Sequence, residues 1–87
     1  MASVRIPALM RDLTQGQPVV EVSGRNLRQL VAALEASYPG MRERLTEDGE
    51  PRPEVAFSVD GEVATLGLLQ PVDERSEVVI LPAISGG

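Results

Sequence analysis

One stretch of this chain has a clear helical period, and it limits what the rest can fold into. Between Asn26 and Tyr38 the residues Leu27, Leu30, Val31, Leu34 and Tyr38 fall at i, i+3, i+4, i+7 and i+11, a single stripe on one helix face. Both ends are marked. Asn26 stands at the N-cap with Gln29 three residues on, close to a capping box, while Pro39 and Gly40 stop the helix. The following "MRERL" adds one short turn with Met41 and Leu45 facing the core. A single striped helix must bury its apolar face against something, and the remaining apolar segments have the period of strands.

Those segments are short. "SVRIP" puts Val4 and Ile6 on one face and is closed by Pro7; "VVEV", from Val19 to Val22, follows a connection rich in Thr, Gly, Gln and Pro, so the two read as a hairpin-like pair with a long loop. "TEDGEPRP", Thr46 to Pro53, is expected to be a solvated surface loop. Its acidic residues Glu47, Asp48 and Glu50 lack the alternating oxygen ligands of a calcium loop. "VAFSV" turns Val55, Phe57 and Val59 inward against Ala56 and Ser58, and Asp60-Gly61 supplies a tight turn. In "VATLGLLQPVDERS" the residues Leu66, Leu68 and Leu69 fit a short strand, a 3₁₀ turn or a loop anchor. "EVVIL", Glu77 to Leu81, is a continuous apolar run suited to a central strand covered on both faces, with Pro82 ending it. The expected fold is α+β: a mixed sheet with one main helix packed on one face and the first and last strands side by side in the middle. That is a β-grasp, the ubiquitin-like shape.

Eighty-seven residues suffice for one core and no second domain. Tyr38 and Phe57 are the only aromatics, so that core is built from Val, Leu, Ile and Ala. Cysteine and histidine are absent, which removes thiolate nucleophiles, disulfides, imidazole triads and thiolate or imidazole metal sites. A formal charge of −5 with scattered arginines argues against a nucleic-acid partner. Because Arg5 and Pro7 interrupt the opening "MASVRIPALM", neither a signal peptide nor a membrane span is expected, and the expected location is cytoplasmic. All eight basic residues are Arg.

After the last strand only "PAISGG" remains. The expected division is a β-grasp domain over 1–81 and an extended, flexible tail over 82–87. With "VRIP" and "LTQGQ" near the start, "LEASYPGMRERL" through the helix, "VAFSVDGE" in the middle and "EVVILPAISGG" at the end, the chain resembles the MoaD/ThiS group of ubiquitin-like sulfur carriers over nearly its whole length. It looks most like carriers of the CysO type, used in cysteine assembly and shared sulfur delivery. It departs from the family at "DERSEV", where an Asp-Gly-Asp turn is usual, and at Ser58, where a bulkier residue is common.

The resemblance implies a protein cosubstrate with no catalytic residues, metal or bound cofactor of its own. The Gly87 carboxylate would be adenylated by an E1-like enzyme of the MoeB/ThiF type, which supplies the ATP and Mg²⁺ sites. A sulfur donor would convert the adenylate to a thiocarboxylate, and a biosynthetic enzyme would accept the sulfur for cysteine or another sulfur-containing metabolite. Pro82, Ala83, Ile84, Ser85 and Gly86 would thread the tail into a partner. The glycines would fit a narrow channel because they lack Cβ, and Ile84 would either anchor in an apolar pocket or simply cover the core. Other readings are the small subunit of molybdopterin synthase, a ubiquitin-like protein modifier, and a binding module whose Gly-Gly ending is incidental.

Overall fold

A computed structural model of the chain describes residues 1–82. In order, its elements are β1 (Ala2–Arg5), a 3₁₀ turn (Ala8–Met10), β2 (Val19–Val22), α1 (Leu27–Ser37), α2 (Met41–Leu45), β3 (Thr46–Glu47), β4 (Glu50–Pro51), β5 (Val55–Val59), β6 (Glu62–Val63), a second 3₁₀ turn (Gly67–Leu69) and β7 (Glu77–Pro82). Five strands form one mixed sheet in the order β2-β1-β7-β5-β6. β1 pairs antiparallel with β2 and parallel with β7, while β7 pairs antiparallel with β5. The first and last strands therefore share the middle of the sheet, as the sequence leads one to expect of a β-grasp. Among the described residues no helix is long and apolar enough to cross a membrane.

The helix stripe makes the core. Leu27, Leu30, Val31 and Leu34 of α1 are buried against Val4, Ile6, Val20, Val22, Phe57, Val78 and Ile80 of the sheet. Full burial of such a side chain contributes about 1.5–3 kcal/mol relative to exposure. Asn26 Oδ1 accepts from the Gln29 N–H at 2.8 Å. The Gln29 side chain reaches back to the Arg25 N–H, also at 2.8 Å, one residue earlier than a capping box requires. α1 ends at Ser37, and Gly40 turns the chain at φ 104°, where a Cβ would stand 3.3 Å from Leu13 Cδ2. Met41 and Leu45 then enter the core from α2.

The structure corrects the expectations in two places and sharpens them in two more. "TEDGEPRP" includes a small hairpin, β3 with β4, because Asp48 and Gly49 both take positive φ and close the kind of two-residue turn that Asp60 and Gly61 also make. The final strand is central but covered on one face only: Val78 and Ile80 face α1, whereas Val79 is half-buried and Leu81 is 38% exposed on the other side. Its β-branched residues suit a pleated backbone whether or not both faces are covered. Ser58 shares that outer face yet is only 9% exposed, being a short side chain set between Val79 and Val63 on the neighbouring strands. Of the three leucines between β6 and β7, Leu68 anchors the core from a 3₁₀ turn while Leu66 and Leu69 stay out.

Two of the stretches compared with the family, "LTQGQ", which resembles it, and "DERSEV", which departs from it, are ordered by local polar contacts. In "LTQGQ" the buried Thr14 hydroxyl donates to the Gln17 carbonyl at 2.9 Å, across the positive-φ pair Gln15 and Gly16. In "DERSEV" the Asp73 N–H donates to Ser76 Oγ at 2.9 Å. Asp60, from the β5–β6 turn, accepts the Glu77 N–H at 2.9 Å and so fixes the start of β7.

Glu35 ties α1 to α2. Its carboxylate accepts the Arg42 N–H at 2.9 Å and the Gly40 N–H at 3.2 Å. These two backbone bonds, Arg42 first, hold its carboxyl below the ordinary glutamate value of 4.5; desolvation opposes them and the Arg42 charge adds to them. A depressed folded-state value adds stability above the unfolded value, and that stability is lost as pH falls through the depressed value. Glu35→Gln is therefore expected to lower the urea midpoint at neutral pH and to flatten its decline below pH 4.5. Parallel acid limbs for variant and wild type would contradict this.

Candidate functional site: the end of the central strand

Of the tail residues singled out in the sequence, Ala83, Ile84, Ser85, Gly86 and Gly87 lie outside the described residues. Pro82 is placed, and it belongs to the strand: it is the last residue of β7, opposite Val55. Proline is tolerated here because its backbone faces the side of β7 that has no partner strand beyond Val79, as at a sheet edge, so its missing N–H leaves no ladder bond unmade.

The two ladders that hold β7 end at different points. Pairing with β1 stops at Arg5↔Val79, whereas pairing with β5 continues to Val55↔Pro82. Beyond Arg5 the first strand parts from β7: the Ile6 N–H still bonds the Pro18 carbonyl on the β2 side at 2.8 Å, and Pro7 then leads into the 3₁₀ turn. The last residues of β7 are thus held along one side only, at the end of the sheet where the first strand runs on toward the exposed Ala8 and Leu9. This follows from sequence, since Pro7 cannot continue a ladder.

Arginines at this end of the sheet hold loops in place. Arg11 Nε donates to the Ile6 carbonyl at 3.0 Å, Arg44 Nη2 to the Leu9 carbonyl at 2.8 Å, and Arg52 Nε to the Glu43 carbonyl at 2.6 Å. The ion pairs of Arg44 with Asp12 at 3.4 Å and Arg52 with Glu47 at 3.8 Å are partly exposed, each worth about 0–1 kcal/mol. The end from which the chain continues is thereby framed by fixed backbone.

The uncovered sheet face carries a shallow recess of about 320 Å³ around the start and middle of β7, lined by Ser3, Arg5, Val19, Ser58, Glu77 and Val79, among others. Ser3 and Ser58 flank the middle of the sheet with short side chains, and the exposed Leu81 continues this face toward Pro82. Sequence reading did not find this surface. Its residues come from four strands, and only the register brings them together. Among the described residues no group of three or more His, Cys, Asp or Glu side chains stands close enough to hold a metal ion. What the arrangement offers a partner is a chain end and an adjacent partly apolar face.

The chain is 36% identical to the sulfur carrier protein CysO of Mycobacterium tuberculosis over 90 residues, covering 98% of this chain and 97% of that one. It is 38% identical over 60 residues to small archaeal modifier protein 3 of Haloferax volcanii, covering 67% of this chain and 65% of that protein. Its structure superposes on a chain of the Amycolatopsis orientalis BexX/CysO complex with a TM-score of 0.94 at 27% identity, both chains being covered in full. The family model described as ThiS matches residues 4–87, so the correspondence runs through the last glycine, and this chain belongs to the ThiS family.

Proposed function

We propose that this protein is a sulfur carrier whose reactive group is the Gly87 carboxylate. The observation that carries the reading is the end-to-end correspondence with CysO, over 98% of this chain, together with a family match that extends to Gly87. A terminal carboxylate has a reference pKa of about 3.5 and is ionised at neutral pH. In the proposed reaction one of its oxygens attacks the α-phosphorus of ATP, pyrophosphate leaves, and an acyl-adenylate forms. A sulfur nucleophile then attacks the acyl carbon and the C–O bond to AMP breaks. Bound to an E1-like enzyme, ATP and Mg²⁺ supply the activation; this chain supplies the nucleophilic carboxylate and the docking surface. A biosynthetic enzyme that takes up sulfur consumes the thiocarboxylate.

The first half-reaction is testable alone. An E1-like enzyme of the MoeB/ThiF type should catalyse exchange of labelled pyrophosphate into ATP when this chain is added. Exchange that does not depend on the chain, or that is equally supported by a chain amidated at its C-terminus, would overturn the reading.

A second reading, conjugation to target amines, is favoured by the likeness to the archaeal modifier protein. The fold makes a related prediction about self-conjugation. With all eight basic residues Arg, the only amine in the chain is that of Met1. Because β1 and β7 run parallel with Ser3 beside Glu77, Met1 precedes the end of the sheet opposite Pro82. Along the strands that separation is about 23 Å at 3.3 Å per residue. Five residues beyond Pro82 span at most about 18 Å. Activated wild-type protein should therefore form no intramolecular adduct, whereas Ala8→Lys, at the Pro82 end, should yield a self-linked product visible by peptide mapping. An adduct at Met1 in monomeric wild type would contradict this geometry.

A further inference from the structure

The helix-covered side of the molecule carries a second concavity, larger than the recess on the open face. It is an open groove of about 710 Å³. One wall is α1, where Arg28, Val31 and Ala32 follow one another at i, i+3 and i+4 along a single face. The other is the 3₁₀ turn Gly67–Leu69. Residues three apart eclipse one another in a 3₁₀ turn, so Leu66 and Leu69, joined by a Leu69 N–H to Leu66 carbonyl bond of 3.1 Å, stand together as one ledge. Leu66 is 59% and Leu69 70% exposed, while Leu68 between them is buried and with Val31 makes the floor. Arg42, Thr46, Gly49 and Glu50 close the far end.

The charges here run against those of the chain as a whole. Formal charge is −5 overall, yet the lining holds two arginines and one glutamate. Arg28 and Arg42 have no carboxylate within 4.0 Å among the described residues, in contrast to Arg44 and Arg52. Glu35 is the acidic group whose charge Arg42 feels, and it is engaged with the Arg42 and Gly40 amides. An apolar floor, a projecting leucine ledge and two guanidiniums that form no ion pair within 4.0 Å among the described residues fit an amphipathic segment with apolar anchors and flanking carboxylates. A small molecule would lie too open here, since such ligands are held with about 70–90% of their surface buried.

We propose that this groove docks an acidic, amphipathic helical segment of a partner protein, with its apolar side chains against Leu66, Leu69 and Val31 and its carboxylates on Arg28 and Arg42. The site lies on the opposite side of the sheet from the recess beside β7. A partner held here leaves the open face and the chain end free for a second protein. Unlike the carrier reading, this inference does not depend on the chemistry of Gly87.

The test is an amide NMR titration of the full chain with a short helical peptide that bears leucines at i, i+3 and i+7 and glutamates on its flanks. Shifts are expected at Val31, Ala32, Gly49, Leu66 and Leu69, with affinity falling as salt is raised. Replacing both Arg28 and Arg42 by Glu should weaken binding about tenfold or more. Leu66→Ser combined with Leu69→Ser should abolish binding while leaving the unfolding midpoint unchanged or raised, a separation that a packing role would not give. A chain lacking Gly87 should bind as well as the full chain. The proposal is overturned by absence of shifts up to about millimolar peptide, by shifts centred on Ser3, Ser58 and Val79, or by equal binding of the peptide with lysines for glutamates.

Discussion

Deleting Gly87 should lower the rate of sulfur loading by about 100-fold or more, with no change in the amide spectrum of residues 1–82. The expected size follows from placement. Losing one residue withdraws the carboxylate by about 3.3 Å along an extended chain, and misplacement of a reacting group by about 1 Å can already cost 100-fold. Gly86→Val should behave similarly for another reason: a β-branched side chain restricts the backbone and widens it where a partner's channel must accept it. Among the described residues the core is built from side chains between Ala2 and Ile80, and the amide spectrum reports whether it is intact in each variant. Loading of the shortened chain at the wild-type rate would remove the reason for assigning the reactive role to the terminus.

Leu34→Ala should have the opposite profile, a large loss of stability with loading preserved. Leu34 is fully buried at the centre of the α1 stripe, in a core whose one aromatic contribution is Phe57 with Tyr38 packed at its edge. Large-to-small changes at such sites cost about 2–5 kcal/mol, part of it the cavity left behind. Set against a total of about 5–15 kcal/mol for a natural domain, that takes a large share. Urea denaturation should show the midpoint falling with little change in slope. Loading measured well below the unfolding transition should stay near wild type, because Leu34 is buried in the core under the helix and lines neither recess on the described surface. A shift below about 1 kcal/mol would mean that the helix does not dominate the core.

The sequence disclosed those parts of the fold whose signals are local and redundant. The α1 stripe, its Asn26 cap and the Pro39-Gly40 stop agree with one another, and the structure places all of them as expected. Asp60-Gly61 was legible because long alternating runs lead into it. Asp48-Gly49 makes the same turn, but its flanking strands are two polar residues each, with no hydrophobic alternation to mark them. The central place of β7 was readable from its apolar run, whereas the openness of one of its faces was not. Whether a face is covered depends on how many helices the chain can spare, and this chain has one long helix. The recess beside Ser58 and the groove beside Leu69 were hidden for a related reason: each joins residues far apart in sequence through strand register or helix packing. For the chain end the situation is reversed: its expected role comes from the "PAISGG" motif and the family resemblance alone, and the residues after Pro82 lie outside the described structure.

The most direct measurement is the intact mass of the protein after incubation with ATP, Mg²⁺, an E1-like activating enzyme and sulfide. If the Gly87 carboxylate is the sulfur-carrying group, one oxygen is exchanged for one sulfur. The change maps to the C-terminal peptide and vanishes when ATP is omitted. An unchanged mass with an enzyme that loads CysO under the same conditions, or a sulfur found anywhere other than the terminus, would contradict it.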